Sequence, residues 1–328
     1  MDSTAYAYSH FSFQENFDHS TTEVCITLSY STLFGGRCLK VRPPIDHQLA
    51  ADTLTILIYF HFNTFRNFKY YYLFYVKNHL QDLFPNQLSY NRFIELEPRV
   101  AVEMMLFIQL FCFGRCTGIS FIDSTCVPVC HNKRIKRNKV FKGYAEIGKS
   151  TMGWYFGFKL HLICNERGEL LNFMLTKANV DDRNPEVFNR LIDNVFGKLF
   201  ADKGYISQGL FERLFNDGIE LVTGLKCNMK NKLMPLYDKI LLRKRSVIET
   251  INDELKNVAQ LVHSRHRSVF NFAMNVLSVL VHTASMRRSR PSTSIIASST
   301  LMGSLLLYNK GIFSLLTTYR LPFTLVEG

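Results

Sequence analysis

The sequence predicts an α/β fold: a mixed sheet covered by helices on both faces, preceded by a helical region. Two observations carry this prediction. Before about residue 115 the sustained periodic segments have helical spacing, and from Gly118 onward apolar runs of strand length alternate with amphipathic runs of helix length. A third observation ties the fold to chemistry. In Ile240 to Lys256, ILLRKRSVIETINDELK, helical spacing puts Arg245, Glu249, Asn252, Asp253 and Lys256 on one face, with Val247, Ile248, Ile251, Leu255 and Val258 on the other. The stretch reads as an amphipathic helix presenting a carboxylate between cations.

Length and charge bound the possibilities. The chain has 328 residues, enough for two or three domains, and carries 39 basic against 27 acidic side chains, a formal charge of +12. That balance favours a polyanionic partner, because Lys and Arg that neutralise phosphates release counterions. Eight cysteines occur, and the opening residues lack the basic start and apolar run of a signal peptide, so free thiols are expected. The pairs Cys112/Cys116 and Cys126/Cys130 are too loosely spaced, among residues too apolar, to favour zinc. Val269 to Ala284 comes nearest to a membrane span but contains Asn271, Asn275 and His282, so a soluble protein with no membrane partner is expected.

Taken in order, residues 1–50 mix Ser, Thr, Tyr and Asp with Gly35-Gly36 and Pro43-Pro44, and are expected to be irregular or poorly ordered. Residues 51–115 read as four helices. LTILIYFHFNTF comes first, then the aromatic run from Phe68 to Leu80, then SYNRFIELEP capped by Ser89 and stopped by Pro98, then VAVEMMLFIQLFCF. Such a bundle is either a DNA-docking region of helix-turn-helix type or a purely structural one.

Residues 116–285 carry the alternating pattern. ISFIDST reads as a strand ending at Asp123. The loop from His131 to Lys142 holds Lys133, Arg134, Lys136, Arg137, Lys139 and Lys142 without an acid, and Phe141, Tyr144 and Trp154 are interleaved as phosphate contact with base stacking would require. YFGFKLHLICN and ELLNFMLTK form a hairpin through ERGE, where Gly168 suits the turn. Asp181 and Asp182 precede a helix from about Asn184 to Phe196 and are read as capping it or complementing its dipole. KLFADKGY is a strand ending at Asp202, SQGLFERLFNDG a helix, IELVTGL a strand and KCNMKNK a basic loop. After the Glu249 helix come His263, Arg265, His266 and Arg267, then an apolar helix, and residues 286–328 form a linker and apolar tail. Three strands, helix, strand, helix, strand, helix is the order of a ribonuclease H-like, retroviral-integrase-like core.

The chemistry follows from the acids. Two-metal phosphoryl transfer needs oxygen ligands converging on ions about 3.5 to 4 Å apart, and Mg²⁺ needs only two or three carboxylates. Adjacent strand ends can set Asp123 beside Asp202, and a helix crossing that edge can add Glu249; Asp253, one turn on, is a candidate supporting group. No GxSxG elbow or GxxxxGK[ST] loop occurs, so water or a DNA 3′ hydroxyl is the better nucleophile.

FIDST, NKVFKG, KSTMGWYFGFKLHL, NVDDR, FADKGY and LLRKRSVIETINDELKN together resemble the DDE transposases of bacterial insertion sequences, most closely the insertion-sequence-982 family, over about residues 52 to 285. The resemblance implies an integrase-like core, two Mg²⁺ or Mn²⁺ ions, cleavage and strand joining at inverted-repeat DNA ends, and Asp123, Asp202 and Glu249 as the metal-binding triad. It also implies Arg245 and Lys256 as DNA contacts, a homodimer or larger synaptic complex, and a DNA-associated protein of the bacterial cytoplasm. Such proteins carry Tyr where Leu242 stands, Gly where Ala201 stands and Pro where Cys126 stands. The rival readings are a nuclease of the same fold that does not join strands, and a DNA-binding derivative without turnover.

Overall fold

The computed structural model describes residues 46–225, 233–262 and 266–288. The readings made for residues 1–45, the KCNMKNK loop, His263, Arg265, the tail beyond 288, and Cys25, Cys38 and Cys227 fall outside these. The described residues lie within one compact unit.

The helical region opens with α1 (His47–Phe60), which begins ahead of the expected boundary at residue 51. The aromatic run forms α2, built from Phe68–Tyr70, a wider turn Tyr71–Val76, and Lys77–His79. Ser89 caps α3 (Tyr90–Leu96), accepting from the Arg92 amide at 3.4 Å. This α-helix ends at Leu96, ahead of Pro98 as expected, but the chain does not leave the helical path there. Pro98 sits at the second position of a tight turn, Glu97–Val100, where a missing N–H costs nothing, and this turn leads directly into α4 (Ala101–Phe107). Tyr71, Tyr72 and Phe93 are wholly buried, so the aromatics that dominate this region build its core.

Six strands form the sheet: β1 (Ile119–Cys130), β2 (Glu146–Ser150), β3 (Gly153–Asn165), β4 (Leu170–Lys177), β5 (Gly197–Ala201) and β6 (Ile219–Thr223). β3 pairs antiparallel with β1, and on its other edge with β2 and then β4; β1 pairs parallel with β5, and β5 with β6. This is a mixed α/β sheet. Gly168 turns the β3–β4 hairpin at φ +81° as expected. The run from Glu146 to Ser150 was not expected as a strand.

β1 corrects a second expectation. It does not end at Asp123 but continues seven residues further, to Cys130, through Pro128. Only Ile119, Ser120 and Phe121 pair with β5, so beyond them one edge of β1 is open and a proline is tolerated there. Across the paired edge, Pro128 meets Gly157, where any Cβ would fall 2.2 Å from the Val127 carbonyl oxygen.

Helices α5 (Pro185–Leu191) and α6 (Gln208–Asn216) cover one face, burying Val187, Phe188, Leu191, Leu210 and Leu214 against Ile122, Ile163 and Leu199. Helices α7 (Leu236–Lys244) and α8 (Ser246–Asp253) follow β6, with the chain turning at Arg245 between them. α8 packs on β1 and β3 and continues as a wider turn, Glu254–Val258. α9 (Val269–Arg288) packs against α1, α4 and that wider turn, joining the helical region to the sheet. Its segment Val269–Arg287 is long and apolar enough to cross a membrane by length and composition, yet 72% of that window is buried within the protein.

Candidate active site

The register of the parallel strands brings the acids together. Ile119, Ser120 and Phe121 of β1 stand beside Lys198, Leu199 and Phe200 of β5. Asp123 and Asp202 each lie two residues beyond the last of these pairs, Phe121 and Phe200, in the same direction along the parallel strands. Asp202 lies just past the end of β5, where its carbonyl accepts from the Tyr205 amide at 3.0 Å and starts a tight turn. Glu249 comes from the first turn of α8. Thus two strand positions and one helix supply three carboxylates, although Asp123 occupies a strand interior and not a strand end.

All three surround one cation. Arg245 Nη2 lies 2.6 Å from Glu249 Oε1 and 4.0 Å from Asp202 Oδ1, while Nη1 lies 3.7 Å from Asp123 Oδ1. The Arg245 side chain is 16% exposed, whereas the Asp202 and Glu249 side chains are 59% and 56% exposed. Three negative charges facing one positive charge leave an excess of about two, open to solvent on the acidic side. Burial pushes the Asp123 carboxyl up to about 6; Arg245 and the Ser124 amide pull it down, and Asp202 and Glu249 push it further up.

Asn252 completes the group. Its Nδ2 donates to Asp123 Oδ2 at 2.9 Å from a buried position on α8. It falls on the Glu249 face, as expected, but the contact to Asp123 was not foreseen. The signal was an amide set among Ile248, Ile251 and Leu255, all fully buried. Asp253, the expected supporting acid, is exposed and accepts from Asn257 Nδ2. Val258, expected on the buried face, is 55% exposed, because the wider turn after Asp253 advances the helix phase.

The acids suit a hard divalent cation by charge, oxygen chemistry and convergence. As arranged, however, no group of three His, Cys, Asp or Glu among the described residues is spaced to hold a metal directly, because the acids close on Arg245 instead. Arg245 therefore acts here as counter-ion to the acids and not as a free phosphate contact. Lys256 points its Nζ towards Cys126 Sγ at 3.9 Å. The five described cysteines, Cys112, Cys116, Cys126, Cys130 and Cys164, are free thiols.

The basic run lies along the rim of β1 and β3. Lys133, Arg134, Lys136 and Arg137 fall in a tight helical turn, Asn132–Arg137, and together with Lys139 and Lys142 are exposed; none makes an ion pair with another described residue. Trp154 is 62% exposed, with Lys149 Nζ 5.8 Å from its ring centroid, and Asn132 Nδ2 ties the run to its carbonyl at 2.7 Å. Phe141 corrects the reading of interleaved aromatics: it is 2% exposed and packs edge-on against Phe158 and Phe272, so it belongs to the core.

The NVDDR stretch is also revised. Asn184, not Asp182, caps α5, accepting from the Glu186 amide at 2.9 Å, and Asp181 folds back on Arg183. Asp182 instead pairs with Lys159 at 3.0 Å and faces the wholly buried His161 at 3.8 Å.

Residues 113–269 match the family model for the transposase DDE domain. That span contains all three acids, Arg245, Asn252 and the basic run. A comparison with curated proteins finds no match. Among solved structures, a piggyBac transposase synaptic complex with hairpin DNA is similar at 10% identity and a TM-score of 0.47, over 93% of this chain and 83% of that chain. Residues 113–269 are thus similar to a transposase DDE domain, and the function of the chain is that of a DDE transposase.

Proposed function

We propose that this chain is the transposase of a bacterial insertion sequence, of the insertion-sequence-982 type, working on DNA in the cytoplasm through a ribonuclease H-like core. The strand connectivity supports that core: an antiparallel trio, β4-β3-β1, extended by parallel β5 and β6 with helices on both faces. The observation that carries the reading is the convergence of Asp123, Asp202 and Glu249 on a single guanidinium. An uncompensated cluster of acids in a chain of charge +12 suits divalent cations on one side and phosphates on the other.

Asp123, Asp202 and Glu249 would hold two Mg²⁺ or Mn²⁺ ions. The ions, when bound, would activate the attacking oxygen and stabilise the leaving oxygen of the phosphodiester. Arg245 gathers the three acids, and its guanidinium would also be placed to hold a DNA phosphate beside them. Trp154 and the run from Lys133 to Lys142 position the DNA; the basic side chains neutralise phosphates and the indole stacks on an unpaired base. Terminal inverted repeats are the substrate in this reading and a homodimer or larger assembly is the working form, as the resemblance of the sequence motifs to insertion-sequence transposases implies.

The test is an assay on duplexes carrying the element's ends, with Mg²⁺ or Mn²⁺. Cleaved ends and joined products are expected from the intact chain and neither from Asp123→Ala. Cleavage without joining would identify a nuclease of the same fold, and activity unchanged in Asp123→Ala would remove the triad from the mechanism.

A further inference from the structure

We propose that Asn252 is a positioning residue for the metal site: its side-chain amide fixes the orientation of the Asp123 carboxylate within the acid cluster that would take up the ions. The inference rests on reading the three acids as metal ligands.

Asn252 lies three residues beyond Glu249, on the same side of α8 but deeper, at 8% exposure. Its Nδ2 donates to Asp123 Oδ2 at 2.9 Å, and Asp123 Oδ1 faces Arg245. A charged carboxylate has no proton to give, so the amide nitrogen must face it. The two oxygens are thereby distinguished: Oδ2 is anchored by Asn252, and Oδ1 is turned towards the guanidinium that Asp202 and Glu249 also face.

A stability role does not account for this residue. Its neighbours on the buried side of α8 are Ile248, Ile251 and Leu255, and its own Oδ1 is buried without a hydrogen-bond partner. An amide that buries one orphaned acceptor is a poor core group, and a leucine there would add apolar burial. The chemistry of the neighbour explains the choice. A neutral donor orients Asp123 and favours its charged form without supplying a positive charge that would compete with a cation. Arg or Lys at this position would orient the carboxylate but oppose loading.

Groups that orient a ligand from behind typically change metal affinity by about 10 to 100-fold when removed. The test titrates MnCl₂ into the full chain, without DNA, by calorimetry, alongside thermal melting. In Asn252→Leu the Mn²⁺ dissociation constant is expected to rise at least about tenfold while the melting temperature holds or increases. Asn252→Ala carries the same binding expectation if the leucine variant does not fold. Wild-type affinity in a folded Asn252 variant, with Asp123→Ala losing Mn²⁺ binding, overturns the positioning role alone. Wild-type affinity in Asp123→Ala overturns the metal-site reading and this inference with it.

Discussion

Two clusters of charge lie on opposite faces of the β1–β3 pair, and they are built on different principles. Asp123 stands opposite Leu162 and Ser124 opposite His161, so alternation along the strand sends the two sets apart. On the α8 face, three carboxylates share Arg245. On the other, Asp182 meets one lysine, Lys159, whose Nζ also donates to the Val180 carbonyl at 2.7 Å, and His161, whose Nε2 contacts Thr176 Oγ1 at 2.9 Å. Burial holds His161 down to about 4, so it is neutral at pH 7 and the second cluster sums to zero. A charge-balanced cluster holds a fold together, whereas one with excess negative charge is poised to accept something positive. The imbalance, more than the presence of acids, separates the site from the scaffold.

The sharpest way to break that distinction is to neutralise one acid in each cluster. Asp123→Asn is isosteric and is expected to lower metal-dependent DNA cleavage by about three orders of magnitude or more, the several kcal/mol that a metal contributes to a phosphoryl transition state. The same change removes a buried charge pushed by two like charges, so thermal stability should hold or rise. A variant that loses stability and keeps cleavage would place Asp123 in the scaffold.

Asp182→Asn should show the opposite pattern. Lys159 is only 14% exposed in its side chain and would lose its ion partner, at a cost of about 1 to 3 kcal/mol. For a chain of 328 residues that lowers the melting temperature by roughly 1 to 2 °C for each kcal/mol. Cleavage by the folded variant and its Mn²⁺ affinity should change little. A large fall in Mn²⁺ affinity without a fall in melting temperature would move Asp182 into the site.

How much of this was legible in the sequence depended on whether a residue's neighbours were near in the chain. The β3–β4 hairpin declares itself through ERGE and Gly168, and the buried stripe of α8 through Ile248, Ile251 and Leu255. Asp202 and Glu249 were legible for the same reason, each marking a local pattern. Asp123 reads as a strand end, whereas the strand runs on through Pro128, where Gly157, 29 positions away in sequence, makes room for it. Phe141 looked like a stacking residue among cations because Phe158 and Phe272, which enclose it, lie far along the chain. Asn252 and Asp182 failed likewise. What an amide or a carboxylate does is fixed by the partner that the sheet brings to it, and that partner is not written beside it.

The smallest effect expected is on the pH dependence of stability, where the two clusters carry opposite signs. Asp123 titrates near 6 in the folded chain and near 3.8 unfolded, so between these values the native state binds the extra proton. Its burial penalty is present above about pH 6 and fades as pH falls towards 3.8. His161 titrates at about 4 when folded and 6.5 when unfolded, so the unfolded state binds the extra proton and stability falls as pH drops through that interval. Buried His61, lowered to about 3, and His266 and His282, each lowered to about 4, share the sign of His161 and set the overall trend. Denaturant melts from pH 7 to 4 should therefore show the wild type losing stability. The stability gap between Asp123→Asn and wild type should narrow over the same range, and His161→Gln should follow a shallower slope than wild type. A gap that widens on acidification would mean that Asp123 is held charged in the folded chain, and the contrast between the clusters would then lie in Arg245 alone.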